Sequence, residues 1–157
     1  MGGKCGTCTA CCKTFNVPEI NHVAGEWCKY CDIGKGCSIY EIRPDVCVNF
    51  ECLWLNSHSE GEGMQIEMRP DKCKVVFSPT TKENIISGTT LPNYPDAWRK
   101  GPARYIIDKL IEAGVTVVIG GPNTLIKTVI NKGGEQKVEM SEPDENGIQW
   151  NKGSFYG

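Results

Sequence analysis

Hydrophobic residues are patterned in the second half of the chain and scattered in the first. Residues 73–78 (CKVVFS) and 84–87 predict short strands. Over residues 103–113, Ile106, Ile107, Leu110 and Ile111 fall on one side of a helix, and Gly114 is its stop. The β-branched run 115–119 predicts a further strand. Gly120-Gly121-Pro122-Asn123 reads as a turn, 124–130 as another strand, and Gly133-Gly134 as a turn into a last one at 136–140. The tail from Glu142 is acidic and glycine-rich. Before residue 55 one periodic stretch stands out: Val46, Phe50, Leu53 and Trp54 share a helical face, with Pro44 in its first turn. Residues 56–64 (NSHSEGEGM) read as a polar loop. The predicted class is α+β. A loop-rich cysteine module with short helices occupies 1–55, and a small β-sheet with one packed helix occupies 56–157. The two are expected to pack as one compact domain.

Composition sharpens the contrast between the halves. A chain of 157 residues is long enough for an ordinary core. The hydrophobic fraction is only 39%, and 18 Gly with 9 Pro imply many turns, so the first half needs a cross-link in place of a core of its own. The net charge of −2 is shared by both halves, and no Lys/Arg run offers a landing strip for a phosphate backbone. Nucleic-acid binding is therefore not expected. No apolar stretch long enough to span a bilayer is present, and the chain enters its cysteine cluster without an apolar leader. The expected location is cytoplasmic, where thiols stay reduced and clustered cysteines hold metal more often than they form disulfides.

All ten cysteines lie between Cys5 and Cys73. Cys5/Cys8 and Cys28/Cys31 are C-x2-C pairs, in which one tight turn can aim both sulfurs at the same ion. The nineteen residues between the pairs fall in the range of four-thiolate zinc sites. Cys5-x2-Cys8-x2-Cys11 also has the spacing of the first three ligands of a [4Fe–4S] cluster, with Cys37 or Cys47 as a remote fourth. Cys11 and Cys12 are adjacent, so in extended chain they point apart. Cys47 and Cys52 are separated by about 140° if one helix carries both. Ten thiols exceed the need of one cluster. Either two centres or additional structural thiols are implied.

Other chemistry is weaker. His22 and His58, the only histidines, read as solvated loop residues. GxSxG and Walker A patterns are absent, and Gly120-Gly121-Pro122 reads as a turn, not a phosphate cradle. Trp27, Trp54, Trp98 and Trp150 read as packing anchors, and Trp27 beside Cys28 can shield a cluster from water. Arg43-Pro44-Asp45-Val46-Cys47 and Arg69-Pro70-Asp71-Lys72-Cys73 use the same turn grammar twice.

CGTCTACC resembles the CxxCxxCC signature of the cysteine-cluster family described as a zinc- or iron-chelating domain. The resemblance continues through Gly25-Glu26-Trp27-Cys28-Lys29-Tyr30-Cys31, through residues 36–47 (GCSIYEIRPDVC) and through residues 50–55 (FECLWL). The family is defined by its cysteines, with the metal given as zinc or iron. A related pattern occurs in flagellin lysine N-methylases, which are iron–sulfur-associated enzymes. Carried over by motif position, the resemblance implies Cys5, Cys8, Cys11, Cys12, Cys28, Cys31, Cys37, Cys47 and Cys52 as metal ligands. Cys73 lies outside the signature. Residues 21–23 depart from the Lys-Pro expected there.

The leading expectation is a [4Fe–4S] iron–sulfur protein acting in electron transfer or in redox or iron handling, with a redox or other protein partner. Alternatives are a zinc-stapled protein-interaction module, an iron–sulfur-associated enzyme by family analogy, and metal delivery.

Overall fold

The computed structural model describes residues 8–14, 16–17, 20–42, 47, 52–57, 63–80 and 82–142, apart from the side chains of Cys11, Cys12 and Tyr40. The fold is α+β. Five strands form the main sheet: β3 (Val75–Pro79), β4 (Ile85–Thr90), β5 (Thr116–Gly120), β6 (Ile126–Asn131) and β7 (Gly134–Glu139) in spatial order. A separate two-stranded hairpin, β1 (Cys31–Asp32) and β2 (Gly36–Cys37), belongs to the cysteine module. Short helices are α1 (Cys11–Thr14), α2 (Leu53–Ser57) and α3 (Pro70–Cys73), and the long one is α4 (Gly101–Glu112). Within the described residues no helix is long and apolar enough to cross a membrane.

The sheet is antiparallel except for β4 and β5, which run parallel. A parallel pair needs a long crossover, and α4 supplies it. Alternation along each strand then sorts the core into two faces. Val75, Phe77, Val117, Ile119 and Ile130 meet Ile106 and Ile107 of α4 and Trp98 on one face. Val118, Val129, Val138 and Met140 form a cluster on the other, and Val76 lies there beneath Ala10 and Cys52 of the cysteine module. Fully burying an aliphatic side chain of this size contributes roughly 1.5–3 kcal/mol, and Ile107, Ile119 and Ile130 are each no more than 2% exposed.

The helix predicted at 103–113 starts two residues earlier, because Gly101-Pro102 opens its first turn. It stops as predicted at Gly114 (φ 86°). The amides of Gly114 and Val115 bond the carbonyls of Ile111 and Leu110 at 3.0 and 2.9 Å, which is the Schellman arrangement. Cys73 leaves the predicted strand and ends α3 instead, because Lys74 takes a left-handed conformation (φ 68°) between helix and strand. The strand predicted at 84–87 runs on to Thr90, since Gly88 is wedged between Ile119 and Phe77 from its two neighbours. The helix predicted from Pro44 falls mostly on residues 43–46 and 48–51, outside the described residues. Cys47 is helical, whereas Cys52 is not, so one helix does not carry both.

The cysteine module is tied to the sheet by polar contacts as well. Asn16 and Asn123, in the β5–β6 turn, exchange side-chain hydrogen bonds at 3.0 and 3.3 Å. The Asn16 side-chain oxygen also accepts from the Ala24 amide at 2.9 Å, fixing the loop that leads towards Cys28.

Candidate metal centre

The Cys28–Cys31 segment is a tight turn, closed by a 3.0 Å bond from the Cys31 amide to the Cys28 carbonyl. It feeds directly into β1. Across the hairpin Cys31 pairs with Cys37 and Asp32 with Gly36. The Ser38 amide donates to the Tyr30 carbonyl at 2.8 Å, which makes 30/38 the hydrogen-bonded pair. Cys31 and Cys37 are then a non-hydrogen-bonded pair, with Cα atoms about 4.5 Å apart and side chains on the same face. The loop between them is closed by the Lys35 amide on the Asp32 carbonyl at 2.8 Å, with Gly34 at φ 76°. Cys28, Cys31 and Cys37 are all half-buried.

The hairpin tip rests on the N-terminal run. The Gly34 amide donates to the Thr9 hydroxyl at 3.2 Å, and Thr9 is buried beside Cys8. Cys8 packs against the cluster of Ala10, Cys52 and Val76. Cys52 immediately precedes α2, where its sulfur accepts the Leu55 amide at 3.5 Å. It thereby acts as the helix cap. The predicted ligands therefore fall in two groups: Cys28, Cys31 and Cys37 on the hairpin, and Cys8 and Cys52 in the packed cluster. The backbone of Cys11 and Cys12 is in α1, and Cys47 is half-buried. Cys5 lies outside the described residues, as does His58. Among the described residues no three His, Cys, Asp or Glu side chains converge closely enough to share an ion.

Cys73 is different. Its S–H is directed at the carbonyls of Val75 and Met68, at 3.3 and 3.5 Å. Burial pushes this thiol up from its ordinary 9.0 to about 11. It is a buried, hydrogen-bonded thiol.

His22 is not the solvated residue that its loop position predicts. It is 8% exposed, and its Nε2 lies 2.6 Å from the Glu26 carbonyl. Its Nδ1 is buried without a hydrogen-bond partner. The local fold explains the burial: Val17 and His22 form an isolated β-bridge, and Asn21 adopts φ 54° to turn the chain between them. The only signal in the sequence was the apolar spacing of Val17, Ile20 and Val23 around it. Trp27 is 37% exposed with the Lys13 ammonium 4.9 Å from its ring, so it is no packing anchor, while Trp98 is one. Trp54 is half-buried, and its ring N–H donates to the Gln65 carbonyl at 3.0 Å.

Compared with known proteins, the chain matches no family model, no curated sequence and no solved structure.

Proposed function

We propose that this protein binds metal through the thiolates of its cysteine module. The observation that carries this reading is the Cys28–Cys37 hairpin, in which the C-x2-C turn runs straight into a strand whose Cys31 pairs across to Cys37. Cys8 and Cys52 share a packed cluster in the segment that the hairpin loop touches through the Gly34–Thr9 bond. The residues that would hold the metal are drawn from Cys5, Cys8, Cys11, Cys12, Cys28, Cys31, Cys37, Cys47 and Cys52. The resemblance to the cysteine-cluster family points the same way.

Two occupants follow from different observations. The C-x2-C-x2-C spacing and the surplus of thiols favour an iron–sulfur cluster, which would carry electrons or report redox state. The turn and hairpin favour a single tetrahedral ion such as zinc, which would staple the module as a protein-interaction surface. Iron, zinc and acid-labile sulfide content of the purified protein separate them. Iron with matching sulfide and a broad visible absorbance establishes the cluster. A colourless protein with stoichiometric zinc establishes the staple. A chain that takes up neither metal after anaerobic reconstitution overturns the proposal.

A further inference from the structure

Cys31 and Cys37 face one another across the β1–β2 hairpin as direct Cα partners. The bond from the Ser38 amide to the Tyr30 carbonyl puts them in a non-hydrogen-bonded position. There the Cα atoms are about 4.5 Å apart and the two side chains leave the same face. That spacing lies inside the range of roughly 4.4–6.8 Å over which two cysteines are bridged without moving the backbone.

The register is held on both sides of the pair. The Lys35 amide closes the loop on the Asp32 carbonyl at 2.8 Å, and Gly34 and Gly36 take φ 76° and 146°. The Gly34 amide is tied to the Thr9 hydroxyl at 3.2 Å. Before the pair, the Cys31 amide bonds the Cys28 carbonyl at 3.0 Å. A one-residue slip would set Cys31 opposite Gly36 or Ser38, and these bonds oppose it. Both cysteines are half-buried and keep some contact with solvent. Cys52 and Cys73 are only 7% and 5% exposed, so a reagent in solution meets the hairpin pair before these two. Cys28 competes for the Cys31 sulfur through the C-x2-C turn, but the cross-strand position is what sets two side chains face to face.

We propose that Cys31 and Cys37 form a reversible cross-strand disulfide, which makes the hairpin a site of thiol–disulfide modification. The oxidant is a small-molecule disulfide. One thiolate of the pair attacks it, forming a mixed disulfide and releasing one small thiol. The second thiolate attacks the protein sulfur of that mixed disulfide, forming the Cys31–Cys37 bond and releasing the second small thiol. Two protons and two electrons pass from the protein to the oxidant, and an excess of the reduced small thiol runs both steps backwards. A sulfur held in this bond is no longer a thiolate, and the thiolate is the form that ligates metal. Oxidation and metal occupancy at Cys31 and Cys37 therefore exclude each other, a consequence that rests on the metal-binding reading above.

The test equilibrates the full-length wild-type protein, as purified and after chelation, with oxidised and reduced glutathione, then alkylates the remaining thiols and maps the peptides. Trypsin cuts after Lys29 and Lys35 and chymotrypsin after Tyr40, so Cys28, Cys31 and Cys37 fall on separate peptides and Cys37 is parted from Cys47. Under oxidised glutathione the chelated protein should lose two alkylatable thiols, with the Cys31 and Cys37 peptides joined until reduced. Excess reduced glutathione should restore both. Absence of this link from both preparations overturns the proposal, whether Cys31 joins Cys28 instead, the linkages scatter or glutathione stays attached. A second arm oxidises the protein loaded with Zn2+. Bound zinc should protect the two thiols, and protein that does become oxidised should release its zinc. Zinc retained in full beside a Cys31–Cys37 bond overturns the mutual exclusion and leaves the disulfide standing. Failure to bind zinc and iron alike overturns the metal-binding reading and likewise leaves the disulfide standing.

Discussion

Burial holds Cys73 as a thiol, with its S–H directed at two carbonyls and its ionisation pushed up to about 11. The unfolded chain exposes the same group near 9.0, so its contribution to stability is present below that pH and is lost as pH rises towards about 11. Urea midpoints measured across this window should fall more steeply for the wild type than for Cys73→Ala. The variant itself should be less stable at neutral pH by about 1–3 kcal/mol. In native protein at pH 8, Cys73 should be the slowest of the described cysteines to alkylate. Asp71 titrates in the opposite sense. Burial works to raise its carboxyl, but the hydrogen bond and charge of Arg69, with Lys72 nearby, outweigh this and hold it below 3.8. The guanidinium Nε and Nη2 grip both carboxylate oxygens at 2.6 and 2.7 Å, with Arg69 largely buried. The stability supplied by this pair is present above the ordinary carboxylate range and disappears as pH falls through the lowered value. Asp71→Asn should cost about 1.5–3 kcal/mol at pH 7, and its deficit should shrink on acidification, as thermal melts would record.

At the scale of elements, α4 and the strands around it were legible because their apolar residues follow one period each. Ile106, Ile107, Leu110 and Ile111 repeat as a helix face, and Val117 and Ile119 alternate with Val118 across the sheet. The parallel pairing of β4 with β5 was not legible, since strand order is decided by the crossover and not by residues within either strand. Nor was the burial of His22, which depends on the Val17 bridge and a left-handed asparagine. The hairpin was half legible: the C-x2-C turn is written in spacing, whereas the cross-strand Cys31–Cys37 register depends on a loop closed at Gly34. Gly88 tests the close packing of the sheet. A methyl added there would approach Ile119 Cδ1 at 3.1 Å and Phe77 Cε1 at 3.2 Å. Gly88→Ala should destabilise by about 1–3 kcal/mol through overpacking. Combining it with Ile119→Val should cost less than the sum of the two changes, as a double-mutant cycle in denaturant would measure.

For the whole molecule, the sheet and the cysteine module draw on different sources of stability. The sheet has its own buried face against α4, while among the described residues the module adds a small cluster around Ala10, Cys52 and Val76 and packs Leu53 against the main core. On the metal-binding reading proposed above, removal of the metal should therefore act unevenly. In the chelated, reduced protein the amides of Gly34 and Ser38 should lose hydrogen-exchange protection by orders of magnitude, while those of Val117, Val118 and Val129 keep theirs. Equal loss across both regions would show that the two melt as one unit. The position of Val76 carries a further consequence. Among the described residues strand β3 has a strand neighbour on one side only, and the module covers the apolar side chain that β3 turns away from α4. The far border of the sheet, β7, carries Glu135, Lys137 and Glu139, whose charges discourage strand addition. On that same reading, loss of the metal would uncover β3, a border without such charges. The chain's failure would then take the form of molecules sticking to one another, faster at higher concentration, before any general unfolding.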